Sequence, residues 1–218
     1  MAFNNTTLNA NLHRISKNQA LEFYYRVGKL NCHRHKVVCT VSWKKPPLEW
    51  CKLNTDGASL GKPSKAGGGG IIKDSEGRWV KGFARSIGFT TSIIAEFWAL
   101  RDGLLLADQI GVQNLVIELD AKVVVELVQS DTTSNAFYSS LRADCKSLLG
   151  RFQHCKVQHV FRKVNRVADA LAKLDCHMQE NFVIMDSSPS DVVSNFVYSN
   201  VMGENFYRLT ATNLAILA

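Results

Sequence analysis

The chain has 218 residues, 46% of them hydrophobic, and a formal net charge of +7, which is typical of one folded domain with extensions. No apolar run reaches the roughly 18 residues that a membrane span needs, and the N-terminus lacks the basic start and apolar core of a signal peptide. We therefore expect an intracellular protein, nuclear or cytoplasmic, that does not bind membranes.

The net charge is concentrated in the first 50 residues. Residues 1–50 contain 8 lysines and arginines against 2 acidic residues, whereas residues 51–218 contain 18 against 17. Such a basic segment either contacts nucleic acid electrostatically or is a solvated, partly disordered leader, and the sequence leaves both readings open. We treat residues 1–50 as an N-terminal extension with a predicted helix over Asn18–Val27. Because paired prolines exclude helix, the extension should end in an extended linker over Trp43–Trp50 (WKKPPLEW).

A compact domain is expected to begin at Cys51 and to end near residue 178. Its first three predicted strands are joined by short turns, which favours an antiparallel meander; they are Cys51–Asp56, Gly68–Lys73 and Trp79–Ser86. A long helix follows over residues 93–111, with apolar side chains at helical spacing, and Gly111 ends it.

The second half of this domain alternates strands and helices. Asn114–Asp120 (NLVIELD) is apolar on both faces until its end, as expected of a central strand reached by a crossover connection. The remaining predicted elements are helices over residues 121–129 and 137–150, a strand over 156–161, and a helix over 165–174 capped by Asn165. Together they predict an α/β fold, with a mixed five-stranded sheet (three antiparallel strands plus parallel strands) and helices packed on it. Residues 179–218 are expected to form a loosely packed C-terminal extension.

The six cysteines form no C-x-x-C pair, and in an intracellular chain we expect them to be reduced and mostly buried. Cys32, His33, His35 and Cys39 lie close together in sequence, but their spacing fits no zinc-finger pattern. We therefore predict no zinc site in this segment.

Four carboxylates occupy positions where a packed core would exclude them. Asp56 and Asp120 end predicted strands, Glu96 shares a helix face with core residues, and Asp169 begins a helix whose neighbours are apolar. Each acid also has a purely structural explanation. Asp56 can shape a turn, Asp120 can cap the next helix, Asp169 can face a helix dipole, and Glu96 can pair with an arginine.

Taken together, the four acids favour a site. Sites in open α/β sheets form beyond the carboxyl ends of strands, so parallel first and central strands would bring Asp56 level with Asp120. The N-terminal turns of two helices could then bring Glu96 and Asp169 to the same rim. Carboxylates a few ångströms apart repel strongly, and some would stay protonated unless cations were present. Mg²⁺, bound through oxygens with retained waters, would remove that conflict.

Five motifs within residues 51–174 resemble the type 1 ribonuclease H fold, and most closely its plant reverse-transcriptase-like branch, which is related to the ribonuclease H domains of retroelements. In family order they are KLNTDGAS, GGGIIKDSEGRW, AEFWALRDGLLLA, LVIELDAKVVV and HVFRKVNRVADALAKL. The preceding segment WKKPPLEW is also similar to the lead-in of that branch.

The resemblance implies an endonuclease that hydrolyses the RNA strand of RNA–DNA hybrids with two Mg²⁺ ions, for which Mn²⁺ could substitute, leaving 5′-phosphate and 3′-hydroxyl ends. It implies that Asp56, Glu96, Asp120 and Asp169 are the metal ligands. His159 falls where the family has a histidine that assists proton transfer or product release, although a lone histidine on a strand is more often structural. The glycines after Asp56 are expected to let the backbone approach the substrate.

Nucleic-acid contacts are expected from Ser59, Lys62, Ser92, Lys122 and Asn165. Three of the expected family features are changed: Ser-Ile-Ile at residues 92–94 replaces asparagines that contact the minor groove, Lys62 replaces a common asparagine, and Ala121 replaces a usual serine. Residues 128–154 also contain no dense basic cluster like the protrusion of bacterial members. These changes spare the metal ligands but weaken the expected grip on the substrate.

Two hypotheses remain beside an active hybrid ribonuclease, and a monomer is expected in each case. A nucleic-acid-binding module that keeps the fold but cleaves poorly would fit the changed substrate positions, although clustered carboxylates facing phosphates would not help a pure binder. The other hypothesis is a retroelement-derived fragment with a structural or interaction role.

Overall fold

The computed structural model describes residues 36–60, 65–131, 137–174 and 181–211. The helix predicted over residues 18–27 lies outside these ranges, as do Lys62, Cys32, His33 and His35. Residues 38–209 form one compact unit. Within the described ranges, no helix has both the length and the apolar composition needed to cross a membrane.

A mixed sheet forms the centre of this unit. Six strands of the described chain build it: β2 (Cys51–Leu60), β3 (Lys65–Lys73), β4 (Trp79–Phe89), β5 (Asn114–Leu119), β6 (His154–His159) and β7 (Phe182–Met185). Their order is β6-β5-β2-β3-β4-β7, while β1 (Lys36–Ser42) and β8 (Asn205–Ala211) form a separate two-stranded sheet. The antiparallel meander β2–β3–β4 and the parallel strands β5 and β6 are confirmed. The α/β class is also confirmed, and β7 adds a sixth strand.

Helices cover both faces of the sheet. They are α1 (Ser92–Gln109), α2 (Lys122–Gln129), α3 (Ser139–Leu149), α4 (Arg166–Leu174) and α5 (Asp191–Val201), with a 3₁₀ turn over Arg162–Val164. The main core lies between the sheet and α1–α3, and a smaller one involves α4 and α5. Thr91 caps α1 by accepting a hydrogen bond from the Ile94 amide, and Gly111, with φ of 76°, follows its end as predicted.

Glycines allow α1 and α4 to approach the sheet closely. A Cβ atom at Gly57 would lie 2.3 Å from the backbone nitrogen of Glu96, and one at Gly69 would lie 2.3 Å from the backbone nitrogen of Ala172. At Gly68, on the face opposite Gly69, the nearest atom would be the Ala99 Cβ, 3.3 Å away. The expectation that these glycines open the strand to substrate is therefore wrong, because the two helices cover them.

The segment before β2 contributes a buried tryptophan, Trp43, to the core. Trp43 is only 3% exposed, and its indole nitrogen donates a hydrogen bond to the Asn54 side chain at 3.1 Å. The ammonium groups of Lys73 and Lys52 lie 4.0 and 4.9 Å from the centre of its ring, as in cation–π contacts. Glu118 accepts hydrogen bonds from Lys52 and Asn54, whereas complete burial lowers the pKa of Lys73 to about 7. The predicted start of the domain at Cys51 therefore leaves out a residue that closes this buried polar network.

Part of the C-terminal segment is also well packed. β7 pairs antiparallel with β4, and Val193 of α5 is 2% exposed in a cluster with Ile71, Val167 and Leu171. The prediction of a loosely packed extension is therefore wrong for residues 182–201. A four-residue strand and a helix with weak amphipathic character give the sequence no clear period to detect.

Candidate functional site

Three of the four predicted carboxylates meet at one edge of the sheet. Asp56 lies in β2, Asp120 directly follows β5, and Glu96 lies in the second turn of α1. β2 and β5 are parallel with Thr55 opposite Leu119, so Asp56 and Asp120 lie level. One ligand oxygen from each acid lies within 4.8 Å of the others. The sequence prediction that these three acids share a rim agrees with this geometry.

Asp169 lies beside this group and is connected to it by an arginine. The Arg162 guanidinium is 2.8 Å from the Asp169 carboxylate and 3.8 Å from that of Asp120. Lys173 pairs with Asp169 from the next turn of α4. Arg162 thus places a positive charge between two of the four predicted ligands.

Burial and mutual repulsion disfavour ionisation at the centre of the group. Burial is the largest cause that raises the pKa of Asp56 well above its ordinary value, and the charge of Asp120 adds to it. Burial is also the largest cause that raises the pKa of Glu96, and the charges of Asp56 and Asp120 raise it further. Burial alone would raise the pKa of Asp169 as well, but hydrogen bonds from Lys173 and Arg162 lower it.

Two oxygens of the group are buried without hydrogen-bond partners. They are Oδ2 of Asp56, a residue that is 1% exposed, and Oε2 of Glu96, a residue that is 6% exposed. Buried polar atoms are normally satisfied, so each unpartnered oxygen calls for an explanation. Carboxylate oxygens of this kind are the ligands that Mg²⁺ and Mn²⁺ prefer, and the donor set therefore fits a divalent cation.

Asp102, a second buried acid on α1, has no unpartnered oxygen. Asp102 is 2% exposed, but both of its oxygens bind Arg85, and Arg101 lies 3.6 Å away. Asp102 is thus a buried carboxylate with its own cations. The comparison shows that burial alone does not distinguish Asp56 and Glu96; the absence of partners for their inner oxygens does.

His159 lies at the end of β6, opposite Leu119 and next to the carboxylate group. Its ring makes an edge-to-face contact with Phe161 at 5.3 Å between centroids. Partial burial is the largest cause that lowers the pKa of His159, although contact with the Asp120 backbone opposes it. A neutral imidazole at physiological pH can accept a proton.

The remaining predicted contact residues differ in accessibility. Ser59 and Ser92 are half-buried, and Ser92 stands one turn before Glu96. The Lys122 side chain is 74% exposed and lies 3.5 Å from Glu126. Contacts of these residues with nucleic acid stay predictions.

Asn165 has a structural position. It is 1% exposed, and its amide donates a hydrogen bond to the Thr55 carbonyl at 2.9 Å. That bond joins the start of α4, which carries Asp169, to the strand that carries Asp56. The expectation of a direct nucleic-acid contact from Asn165 does not agree with this burial.

Sequence reasoning did not find Arg162. Nothing in the spacing of FRKVNRVAD distinguishes it from the neighbouring basic residues, and only the 3₁₀ turn directs it toward Asp120 and Asp169. The one available signal is its position between two predicted site residues.

The raised pKa values predict an unusual dependence of stability on pH. The pKa values of Asp56 and Glu96 are higher in the native protein than their ordinary values of 3.8 and 4.5. Above those ordinary values the unfolded chain releases protons that the native carboxyl groups still hold. Their contribution to stability is therefore present at low pH and is lost as pH rises through the raised native values. Without divalent cations, we expect the unfolding midpoint of the unmodified protein to fall over this range more steeply than that of Asp56→Asn. Equal slopes in thermal melts of the two proteins would contradict the assignment.

Comparison with known proteins agrees with the fold. Residues 54–175 match the family model described as "Reverse transcriptase-like". A protein of Arabidopsis thaliana named "Putative ribonuclease H protein" is 32% identical over 163 residues, which are 75% of this chain and 26% of that protein. This chain thus spans about a quarter of the length of that relative.

Solved structures give the same result for the fold. The crystal structure of RNase H1 from Halobacterium salinarum is 29% identical with a TM-score of 0.54, covering 57% of this chain and 95% of that one. The N-terminal RNase H domain of a Mycobacterium tuberculosis protein is 26% identical with a TM-score of 0.55, covering 58% of this chain and 98% of that one. The fold, the order of the motifs and the family match together show that the chain belongs to the reverse transcriptase-like family with a ribonuclease H fold.

Proposed function

We propose that this protein is a metal-dependent endonuclease that hydrolyses the RNA strand of RNA–DNA hybrids. The observation that carries the proposal is the group formed by Asp56, Glu96 and Asp120, whose oxygens lie within 4.8 Å and two of which are buried without partners. The relatives named ribonuclease H support the same reaction class.

The four acids Asp56, Glu96, Asp120 and Asp169 would hold the divalent ions, for which Mg²⁺ and Mn²⁺ are the candidates. Two such ions, when bound, would activate a water and stabilise the departing 3′ oxygen. Burial of Asp56 and Glu96 keeps bulk water from their inner oxygens, which strengthens their interaction with a cation. Asp169 is more exposed, and hydrogen bonds from Lys173 and Arg162 lower its pKa, so the carboxylate is ionised. It can therefore hold an ion that exchanges with solvent.

His159 would act on protons at the edge of the site. Its lowered pKa leaves the imidazole neutral near pH 7, and its contact with Phe161 orients the ring beside Asp120. A proton accepted from water or released with the product would be held there. This role requires no movement of His159, because the side chain already lies at the rim.

The decisive assay uses a labelled RNA–DNA hybrid. We expect cleavage with Mg²⁺ or Mn²⁺, none with EDTA, and none of the same sequence as duplex DNA. Products should carry 5′-phosphate and 3′-hydroxyl ends. Intact hybrid under all metal conditions, with a correctly folded protein, would refute the proposal.

A nucleic-acid-binding module is the second candidate, and one observation favours it. Ile93 and Ile94 precede Glu96 by three and two residues, where the family has groups that donate hydrogen bonds, and an isoleucine side chain has no donor to offer. Tight binding of the hybrid without cleavage would select this candidate.

Arg162 is expected to compete with divalent cations. Its guanidinium contacts Asp120 and Asp169, so a bound cation must displace or share those oxygens. In Arg162→Gln, the affinity for Mn²⁺ should rise about fivefold, since a unit charge some 4 Å away contributes about 1 kcal/mol even in water. Calorimetric titration measures this affinity, and Arg151→Gln, which removes a surface arginine paired with Asp108, is the matched control. Unchanged or weaker binding in Arg162→Gln would contradict the prediction.

A further inference from the structure

The C-terminal strand β8 contacts the segment that joins β6 to α4. Lys163 donates a hydrogen bond from its ammonium to the Tyr207 carbonyl at 2.7 Å. The Arg208 guanidinium lies 3.9 Å from the centre of the Phe161 ring. Three consecutive residues of the joining segment, 161–163, thus meet either β8 or the carboxylate group.

These contacts bring basic side chains of both segments to the edge of the carboxylate site. Phe161, on which Arg208 stacks, also contacts the His159 ring, and Arg162 between Phe161 and Lys163 binds Asp120 and Asp169. Arg208 is also near enough to His159 to oppose its protonation. Lys163 and Arg208 therefore flank the same side of the site as His159.

Among the described residues, no carboxylate neutralises these two cations. Within the described chain, neither Lys163 nor Arg208 has a carboxylate partner, whereas nearby Arg162, Arg166 and Lys173 each pair with an acid. Lys163 is exposed and Arg208 is half-exposed. An unpaired cation held in a fixed position at the surface is suited to an external anion.

We propose that Lys163 and Arg208 form a phosphodiester-binding edge that holds the nucleic-acid backbone beside the carboxylates. The inference rests on the proposed function and extends it, since Arg208 lies outside the matched family segment, residues 54–175. It assigns to the C-terminal segment a part in substrate binding. It also supplies a grip on the substrate that the changed residues 92–94 do not provide.

The test measures binding of a fluorescent RNA–DNA hybrid of about 20 base pairs by anisotropy at several NaCl concentrations. All proteins carry Asp120→Asn, so that the hybrid is not consumed. Lys163→Gln with Arg208→Gln should weaken binding about tenfold or more at low salt. It should also reduce the slope of log affinity against log salt by about 2, one for each lost phosphate contact.

The control removes the same charge at the opposite end of the sheet. Lys45→Gln with Arg78→Gln alters the neighbourhood of the β3–β4 turn, where these residues pair with Glu76 and Asp74. We expect its affinity and salt slope to match those of the parent. Equal losses in the two double variants, or no loss in either, would overturn the proposal.

A conservative replacement separates phosphate binding from packing. Arg208→Lys keeps the charge but loses the planar stack on Phe161, so it should lose clearly less affinity than the single variant Arg208→Gln measured beside it. A loss as large as that of Arg208→Gln would assign the residue to packing and overturn the inference. Cleavage by the unmodified protein is measured separately. Failure of the proposed function is then seen as intact hybrid, and failure of this inference as unchanged binding.

Discussion

Asp120→Asn is expected to lower the rate of hybrid hydrolysis by about a thousandfold or more. Metal ions supply several kcal/mol of transition-state stabilisation in such reactions, and about 4 kcal/mol corresponds to a thousandfold. The change preserves the size of the side chain but removes the charge that shares the site with Asp56 and Glu96. Single-turnover cleavage of a labelled hybrid at saturating Mg²⁺ measures the effect.

The same variant should be more stable than the parent without divalent cations. The charge of Asp120 raises the pKa of both Asp56 and Glu96, so its removal relieves repulsion by roughly 1 kcal/mol. Chemical denaturation in EDTA tests this, and a loss of stability would show that the group is not repulsive.

Asp102→Asn is the matched control for this result. It removes a buried charge from α1 but leaves Arg85 without its main partner. We expect it to destabilise the fold by about 3 kcal/mol, as for a broken buried ion pair, while the folded fraction keeps its cleavage rate. Opposite effects on stability and on chemistry in the two variants would separate site carboxylates from structural ones.

Gly57→Ala is expected to cause a large loss of stability for a single added methyl group. The new Cβ would lie 2.3 Å from the Glu96 nitrogen and 2.5 Å from the Ala95 carbonyl carbon, both backbone atoms that cannot move alone. Overpacking in cores costs about 1–3 kcal/mol, and a clash with helix backbone belongs at or above the upper end. Since α1 carries Glu96, its displacement should also lower metal affinity. Urea denaturation and Mn²⁺ titration measure the two effects.

Gly150→Ala supplies the comparison. At this position the nearest atom to an added Cβ is 3.4 Å away, and the backbone has ordinary right-handed helical angles. We expect a change in stability within about 0.5 kcal/mol and no change in metal affinity. A comparable loss in both glycine variants would mean that backbone entropy, and not the approach of α1, controls the effect.

Much of the fold could be predicted because its elements have clear periods and stops. β5 is mostly apolar and is followed directly by Asp120, and α1 has a capping threonine and a glycine after its end. The three clustered acids could be predicted for a related reason. A carboxylate within an apolar pattern conflicts with core packing, and parallel strands bring such residues to a common edge.

The parts that the sequence did not reveal depend on tertiary contacts. Trp43 is buried among side chains that include Lys73, Lys52 and Asn54, and no local pattern predicts that pocket. β7 owes its strand conformation to pairing with β4. The position of Arg162 beside Asp120 and Asp169 likewise depends on the 3₁₀ turn over Arg162–Val164. The predicted domain limits at residues 51 and 178 stay a hypothesis, but Trp43 and the residues of β7 and α5 pack with the domain.

The most direct test of the account is a calorimetric titration of Mn²⁺ and Mg²⁺ into the unmodified protein and into Asp56→Asn. We expect both ions to bind the unmodified protein with release of protons, because Asp56 and Glu96 must ionise, and to bind Asp56→Asn at least about tenfold more weakly. Failure of both ions to bind a folded, unmodified protein would contradict the claim that these buried carboxylates form a divalent-cation site.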